Sequence, residues 1–107
     1  MDKKDTDHSK CYVENTLTLI GEKWKVLIIR ELMSEKKRFG ELNRAIEGIS
    51  QKMLTQQLRQ MEKDKLVKRK VYAEVPPKVE YSLTETGKSL QPILTAMHLW
   101  GKSYIEK

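Results

Sequence analysis

The 107-residue sequence predicts a mainly α-helical fold with one small β-hairpin, an α+β class. Through most of the chain, apolar residues recur at the three-to-four-residue spacing of amphipathic helices. Only residues 66–83 change to the alternating pattern of strands, and a Pro-Pro pair interrupts that stretch. No apolar run approaches the roughly 18 residues of a membrane span. We therefore expect a folded, helical protein of the cytoplasm with no membrane partner.

The N-terminal half predicts a tail and two helices. Residues 1–10 are polar and lack the apolar region of a secretory signal, and we expect a flexible tail before a single domain over residues 11–107. Helices are predicted over residues 12–20 and about 22–33, because apolar side chains recur on one face of each. The segment Lys36–Arg38 that follows is expected to form a basic turn.

The next segment predicts a helix-turn-helix over residues 39–64. A short helix over about 40–46 is followed, after a turn with glycine, by a longer helix. Ser50 is expected to cap that longer helix by accepting a hydrogen bond from its first turn. Two helices joined by so few residues form a helix-turn-helix.

The remainder predicts a wing and a last helix. Two alternating stretches within residues 66–83 form the hairpin, and its prolines belong in the turn because they cannot donate to a strand ladder. Residues 84–105 are predicted as one long helix with Thr84 as its cap, although Pro92 should kink or break it. A hairpin directly after a helix-turn-helix gives a winged helix-turn-helix.

Positive charge is concentrated in the middle of the chain. The formal net charge is +6, and residues 34–78 contain twelve basic and six acidic residues, which accounts for the whole excess. A basic block between neutral blocks is expected where a fold meets a polyanion, which favours double-stranded DNA as a partner. An ordinary solvated surface is the alternative for charge alone.

The second helix of a helix-turn-helix enters the major groove by its N-terminal end. Amide, guanidinium and ammonium groups suit the edges of adenine and guanine. The residues expected to contact DNA on this helix are Ser50, Gln51, Lys52, Thr55, Gln56 and Arg59. The residues expected to bind phosphates of the DNA backbone, including those on the wing, are Arg38, Arg44, Lys68, Lys70 and Lys78. Arg69 is expected to pair within the fold.

The string IEGISQKMLTQQLRQMEKDKLVKRKVYAEVPPKVEYSLTETGKSL resembles the HxlR-type family of bacterial winged-helix regulators. Upstream, CYVENTLTLIGEKWKVLIIREL and KRFGELNRAI are similar to that family's cysteine, GxKW and RFxEL motifs. The resemblance covers about residues 11–104. It implies homodimers that bind short inverted repeats near promoters and that dimerise through the first and last helices.

Two residues depart from the family pattern. Tyr12 stands where proline is frequent, and Lys65 stands where glycine is frequent. A non-glycine residue in the left-handed conformation costs about 1 kcal/mol. We therefore expect a local adjustment of the backbone at Lys65.

The last helix has an apolar stripe too wide for one small core to cover. We expect the N- and C-terminal helices to form a homodimer interface, because contiguous exposed apolar patches usually mark interfaces. The residues assigned to it are Val13, Leu17, Ile93, Met97, Trp100 and Tyr104. The alternative is that they cap their own core.

The single cysteine, Cys11, permits no intrachain disulfide and fits a reducing compartment. It lies at the predicted start of the first helix, where the backbone dipole stabilises a thiolate. Some members of the resembling family sense thiol-reactive species through a cysteine at this place, which implies a redox or electrophile response. A half-buried structural cysteine is the alternative.

The sequence predicts no catalytic residue, no metal site and no cofactor. His8 and His98 have no companion ligands, and neither a glycine-rich phosphate loop nor a nucleophile elbow is present. We predict a transcriptional regulator, repressor or activator, whose small-molecule or redox effector is unidentified. A winged helix that binds protein or RNA without operator specificity stays open as the alternative.

Overall fold

The structure is a computed structural model that describes residues 11–107; the predicted tail, residues 1–10, lies outside the described residues. Its elements are α1 (Tyr12–Ile20), α2 (Lys23–Ser34), β1 (Lys37–Arg38), α3 (Phe39–Ala45), α4 (Gln51–Lys63), β2 (Val67–Tyr72), β3 (Lys78–Leu83), α5 (Glu85–Lys88) and α6 (Gln91–Ile105). This order confirms the predicted class of a mainly helical fold with a small antiparallel sheet.

The core lies around α2, whose side chains Ile28 and Ile29 are fully buried. Leu42 of α3 and Leu54 of α4 pack into the same cluster, and Leu83 joins it from the end of β3. Burial of these apolar surfaces is the main stabilising contribution to the arrangement of α3, α4 and the sheet. The two helices of the helix-turn-helix and the wing therefore pack against the same hydrophobic core.

The sheet has three antiparallel strands in the order β1-β3-β2. The β2–β3 hairpin is the predicted one, but the predicted basic turn at residues 36–38 is wrong in part. Lys37 and Arg38 form β1 and pair with Tyr81 and Glu80 of β3. A two-residue strand has no detectable periodicity, so only the tertiary pairing defines it.

The predicted helix over residues 84–105 is broken into α5 and α6, and a break was one of the two outcomes expected from Pro92. Thr84 caps α5 as predicted, with its hydroxyl oxygen accepting a hydrogen bond from the Gly87 N–H at 3.0 Å. Pro92 lies in the first turn of α6. A backbone N–H in the first turn of a helix has no helical partner, so proline can occupy this position without the loss of a hydrogen bond.

The chain passes from α4 to β2 through Lys65, whose φ of 61° is left-handed. The expected adjustment at Lys65 is therefore wrong, since the conformation typical of glycine is kept. Hydrogen bonds on both sides hold it: the Leu66 N–H donates to the Met61 carbonyl at 2.9 Å, and the Thr84 hydroxyl donates to the Lys65 carbonyl at 2.6 Å. This junction fixes the wing relative to α4.

Candidate nucleic-acid interface

The turn between α3 and α4 determines where α4 begins. Gly48 adopts a φ of +86°, a backbone conformation that residues with a side chain rarely adopt. The Asn43 amide donates to the Ile49 carbonyl at 3.3 Å, and the Met53 N–H donates to Ser50 Oγ at 3.0 Å. The predicted cap is confirmed, and the first turn of α4 is held by contacts from both helices.

One face of α4 is buried against the core. Leu54, Leu58 and Met61 are almost fully buried, and Gln57 is buried with its amide donating to Glu22 Oε2 at 2.8 Å. These contacts fix the rotation of α4 about its axis. The opposite face is consequently the one presented to solvent.

The predicted DNA-contacting residues of α4 lie on this opposite face. Ser50, Gln51, Lys52, Gln56 and Arg59 are exposed, and Thr55 is half-buried, with its hydroxyl donating to the Gln51 carbonyl at 2.8 Å. The hydroxyls of Ser50 and Thr55 therefore already form hydrogen bonds with the backbone of α4. The longer amide, ammonium and guanidinium side chains carry no such contact in the part of the chain that the structure describes.

The hairpin register determines which wing side chains share a face. Lys68 lies opposite Ser82, Lys70 opposite Glu80 and Tyr72 opposite Lys78, so these residues alternate with Arg69 and Val71. Lys68 and Lys70 are exposed and Lys78 is half-buried. The three predicted wing lysines therefore lie on one face of the hairpin.

Arg69 points away from these lysines, as expected. Its Nε lies 3.6 Å from Glu62 Oε2 of α4. Tyr81, the cross-strand neighbour of Arg69, is half-buried. Burial raises the pKa of its hydroxyl, while the Arg69 charge acts in the opposite direction. The ion pair links α4 to the wing.

Glu80 is a feature of the wing that the sequence pattern did not single out. Its side chain is 12% exposed, with Lys36 Nζ 3.4 Å from one carboxylate oxygen and Lys78 Nζ 3.6 Å from the other. The nearby Tyr72 hydroxyl, with smaller contributions from these lysines, holds the pKa of Glu80 below its ordinary value despite burial. The only sequence signal was an acidic residue within a basic hairpin.

Lys70 and Lys78 meet at the same aromatic ring. The Nζ atom of each lies 4.9 Å from the centroid of Tyr72, within cation–π range. We call Lys36, Lys70, Tyr72, Lys78 and Glu80 the wing cluster. Its members come from both strands of the hairpin and from the residue before β1.

Arg38 and Arg44 lie beside the wing cluster. Both are exposed, and they line an open groove together with Lys36 and Glu80. The backbone N–H of Arg38 donates to Glu41 Oε1 at 2.8 Å, which anchors the start of α3. The candidate surface is thus continuous from the helix-turn-helix to the wing.

A second surface, on α1 and α6, is apolar. Trp100 and Tyr104 are 70% and 64% exposed, and their rings stack with centroids 5.2 Å apart. The other four residues assigned to the interface are also exposed, and no residue of α6 is buried. In the single chain these side chains are therefore largely uncovered.

Cys11 is exposed and is the N-cap residue of α1. The alternative of a half-buried cysteine is wrong for the single chain. Within residues 11–107, no helix is long and apolar enough to cross a membrane, and no group of three or more His, Cys, Asp or Glu side chains could hold a metal ion.

Comparisons with known proteins cover the same regions. The family profile described as HxlR-like helix-turn-helix matches residues 19–107. The HTH-type transcriptional regulator YdeP of Bacillus subtilis (strain 168) is 46% identical over 107 residues, 100% of this chain and 84% of that protein.

Two solved structures are similar as well. The redox regulator HypR in its oxidized form is 53% identical with a TM-score of 0.82, covering 87% of this chain and 96% of that chain. Diamide-treated YodB from B. subtilis is 41% identical with a TM-score of 0.76, covering 91% of this chain and 97% of that chain. The family match over residues 19–107 includes the helix-turn-helix and the wing.

Proposed function

Because this chain belongs to the HxlR-like helix-turn-helix family of transcriptional regulators, we propose that it binds an inverted-repeat DNA operator as a homodimer. The observation that carries this proposal is the exposed arc of α4, which bears Lys52, Thr55, Gln56 and Arg59, together with the basic residues on α3 and on the wing. An enzyme or metal-dependent role has no comparable support. We place the domain over residues 11–107 and the protein in the cytoplasm.

The base-reading role goes to the exposed arc of α4. Gln56 is suited to a bidentate pair with adenine, and Lys52 and Arg59 to the acceptors of guanine. The Thr55 hydroxyl is engaged within the helix, so its methyl group is the better candidate for contact with a thymine methyl. Ser50 and Gln51, at the N-terminal end, enter the groove first.

The phosphate-binding role goes to five basic residues that flank this arc: Arg38, Arg44, Lys68, Lys70 and Lys78. Their contacts position the protein and add affinity without reading sequence. Lys68 is exposed and forms no ion pair within residues 11–107, so we expect it to be the simplest phosphate contact of the wing.

The apolar surface of α1 and α6 supports the homodimer. An open groove of about 650 Å³ is lined by Val13 and Leu17 of α1 and by Ile93 and Met97 of α6. Trp100 and Tyr104 extend this surface towards the end of α6. A twofold dimer presents two copies of α4 related by symmetry, which matches an inverted repeat with half-sites about 10 base pairs apart.

We propose Cys11 as the redox-responsive residue. Its thiol is exposed at a helix N-terminus, and HypR is described as a redox regulator. With one cysteine per chain, oxidation gives a disulfide between two subunits, a mixed disulfide or a sulfenic acid. The test is operator binding before and after diamide in the wild type and in Cys11→Ser. An identical response of the two proteins would eliminate this role.

The main proposal is tested by selection from a library of random-sequence duplexes, with the oligomeric state measured by sedimentation. We expect enrichment of an inverted repeat, retention of binding over unrelated competitor DNA, and a dimer at micromolar concentration. Affinity should fall steeply as salt increases. Recovery of no common sequence would favour a protein- or RNA-binding module instead.

A further inference from the structure

Glu80 occupies the centre of the wing cluster. Each of its carboxylate oxygens faces a different ammonium group, Lys36 at 3.4 Å and Lys78 at 3.6 Å. In the hairpin register, Lys70 lies directly opposite Glu80. One largely buried carboxylate is therefore surrounded by three lysines from separate parts of the chain.

Two of the ammonium groups of this cluster, those of Lys70 and Lys78, are also expected to meet DNA. Lys70 and Lys78 lie at equal distances from the Tyr72 ring, and Lys78 is one of the proposed phosphate contacts. A phosphate that approaches Lys36 or Lys78 must share that lysine with Glu80. The Lys36 side chain is 60% exposed, so solvent weakens its ion pair with Glu80. A phosphate can therefore displace the carboxylate, but part of its binding energy is lost in doing so.

We propose that Glu80 is a positioning residue that limits the sequence-independent affinity of the wing for DNA, by holding Lys36 and Lys78 in internal ion pairs that compete with phosphates. This inference rests on the proposed DNA-binding function. Phosphate contacts strengthen binding to every sequence alike. Restricting them lowers the affinity for non-operator DNA, while the ratio between specific and non-specific affinity is left to the base contacts.

The test compares Glu80→Gln with Glu74→Gln on an unrelated duplex of about 30 base pairs, long enough for both half-sites. Glu74 is the matched control, because it is an exposed carboxylate in the turn of the same hairpin and forms no ion pair within residues 11–107. Both substitutions remove one negative charge and keep the side-chain volume. Only Glu80→Gln releases lysines, those of the ion pairs with Lys36 and Lys78.

The measured quantity is the slope of log affinity against log salt, which counts phosphate contacts. Each lysine released by Glu80→Gln is expected to steepen the slope by about 0.9 and to raise affinity by about fivefold at roughly 0.15 M salt. Glu74→Gln should leave the slope unchanged. Glu80→Asp, which keeps the charge, should restore the wild-type slope, whereas a purely structural role for Glu80 predicts no steepening at all.

A second pair of variants covers the case in which Glu80→Gln fails to fold. Lys36→Ala should change the salt slope little, because Lys36 is already engaged, whereas Lys68→Ala should reduce it by about 0.9. Equal slopes for the two glutamine variants, or a shallower slope for Glu80→Gln, would overturn the inference while leaving the proposed function intact. A wild-type protein that binds no duplex would instead overturn the proposed function, and this inference with it.

Discussion

Gly87→Ala tests the junction that holds the wing against the helix-turn-helix. A Cβ atom at Gly87 would lie far inside van der Waals contact with the Leu66 carbonyl oxygen and 3.1 Å from Leu83 Cδ2. That carbonyl also accepts the Thr84 N–H at 3.0 Å. Relief of the clash must therefore move backbone that is already hydrogen-bonded, since the nearer neighbour is a carbonyl oxygen and the Leu83 side chain is buried in the core.

The expected loss of stability is about 2 kcal/mol. Overpacking in a well-filled region costs about 1–3 kcal/mol, and weakening the Thr84 hydrogen bond costs about 1 kcal/mol. The higher helix propensity of alanine offsets about 0.5–1 kcal/mol of this total. The loss should appear as a lower free energy of unfolding in urea, followed by circular dichroism at one fixed protein concentration, because dimerisation makes stability depend on concentration.

Gly40→Ala is the matched control for this substitution. Gly40 is also helical, but its nearest neighbour is the Arg44 guanidinium at 3.2 Å, an exposed group that can move. Its free energy of unfolding should stay within about 0.5 kcal/mol of the wild type, as surface changes usually do. Equal stabilities of the two alanine variants would refute the close packing at the junction.

Three further outcomes are expected. Ser50→Ala removes the cap of α4 and should lower the free energy of unfolding in urea by about 1 kcal/mol; an unchanged value would contradict the role of the cap. Trp100→Ser should shift the sedimentation profile towards monomer, since it removes the largest exposed apolar side chain of α6; an unaltered dimer would place the interface elsewhere. The pKa of Glu80 is lowered in the folded protein, so the unfolded chain binds more protons there and stability falls as pH decreases. Urea unfolding between about pH 6 and pH 3 should therefore show a smaller acid-induced loss in Glu80→Gln than in the wild type, and equal losses would exclude this contribution.

Local signals predicted most of the fold. The cap at Ser50 and the buried face of α4 depend on residues within a few positions of one another, so spacing alone was sufficient. The break before Pro92 was also predicted as one of two outcomes, since proline restricts the backbone next to it. In contrast, β1 exists only because β3 lies beside it, and Lys65 keeps its left-handed conformation because Thr84 holds it from a distant position.

The same distinction applies to the candidate site. The exposed arc of α4 follows from helical periodicity, and the shared face of Lys68, Lys70 and Lys78 follows from the hairpin register. The role of Glu80 does not, because Lys36 reaches it only through the pairing of β1 with β3. Contacts between segments far apart in sequence were not available from periodicity.

The proposed function depends most directly on whether α4 reads base pairs. The decisive measurement is the affinity of the wild type and of Gln56→Ala for the selected duplex and for every single base-pair change in one half-site, with Lys68→Ala as a control. We expect each wrong base pair to cost the wild type about 1–3 kcal/mol. Gln56→Ala should lose that discrimination at one position, while Lys68→Ala weakens binding to every duplex alike. Unchanged discrimination by Gln56→Ala at every position would contradict the assignment of α4 as the recognition helix.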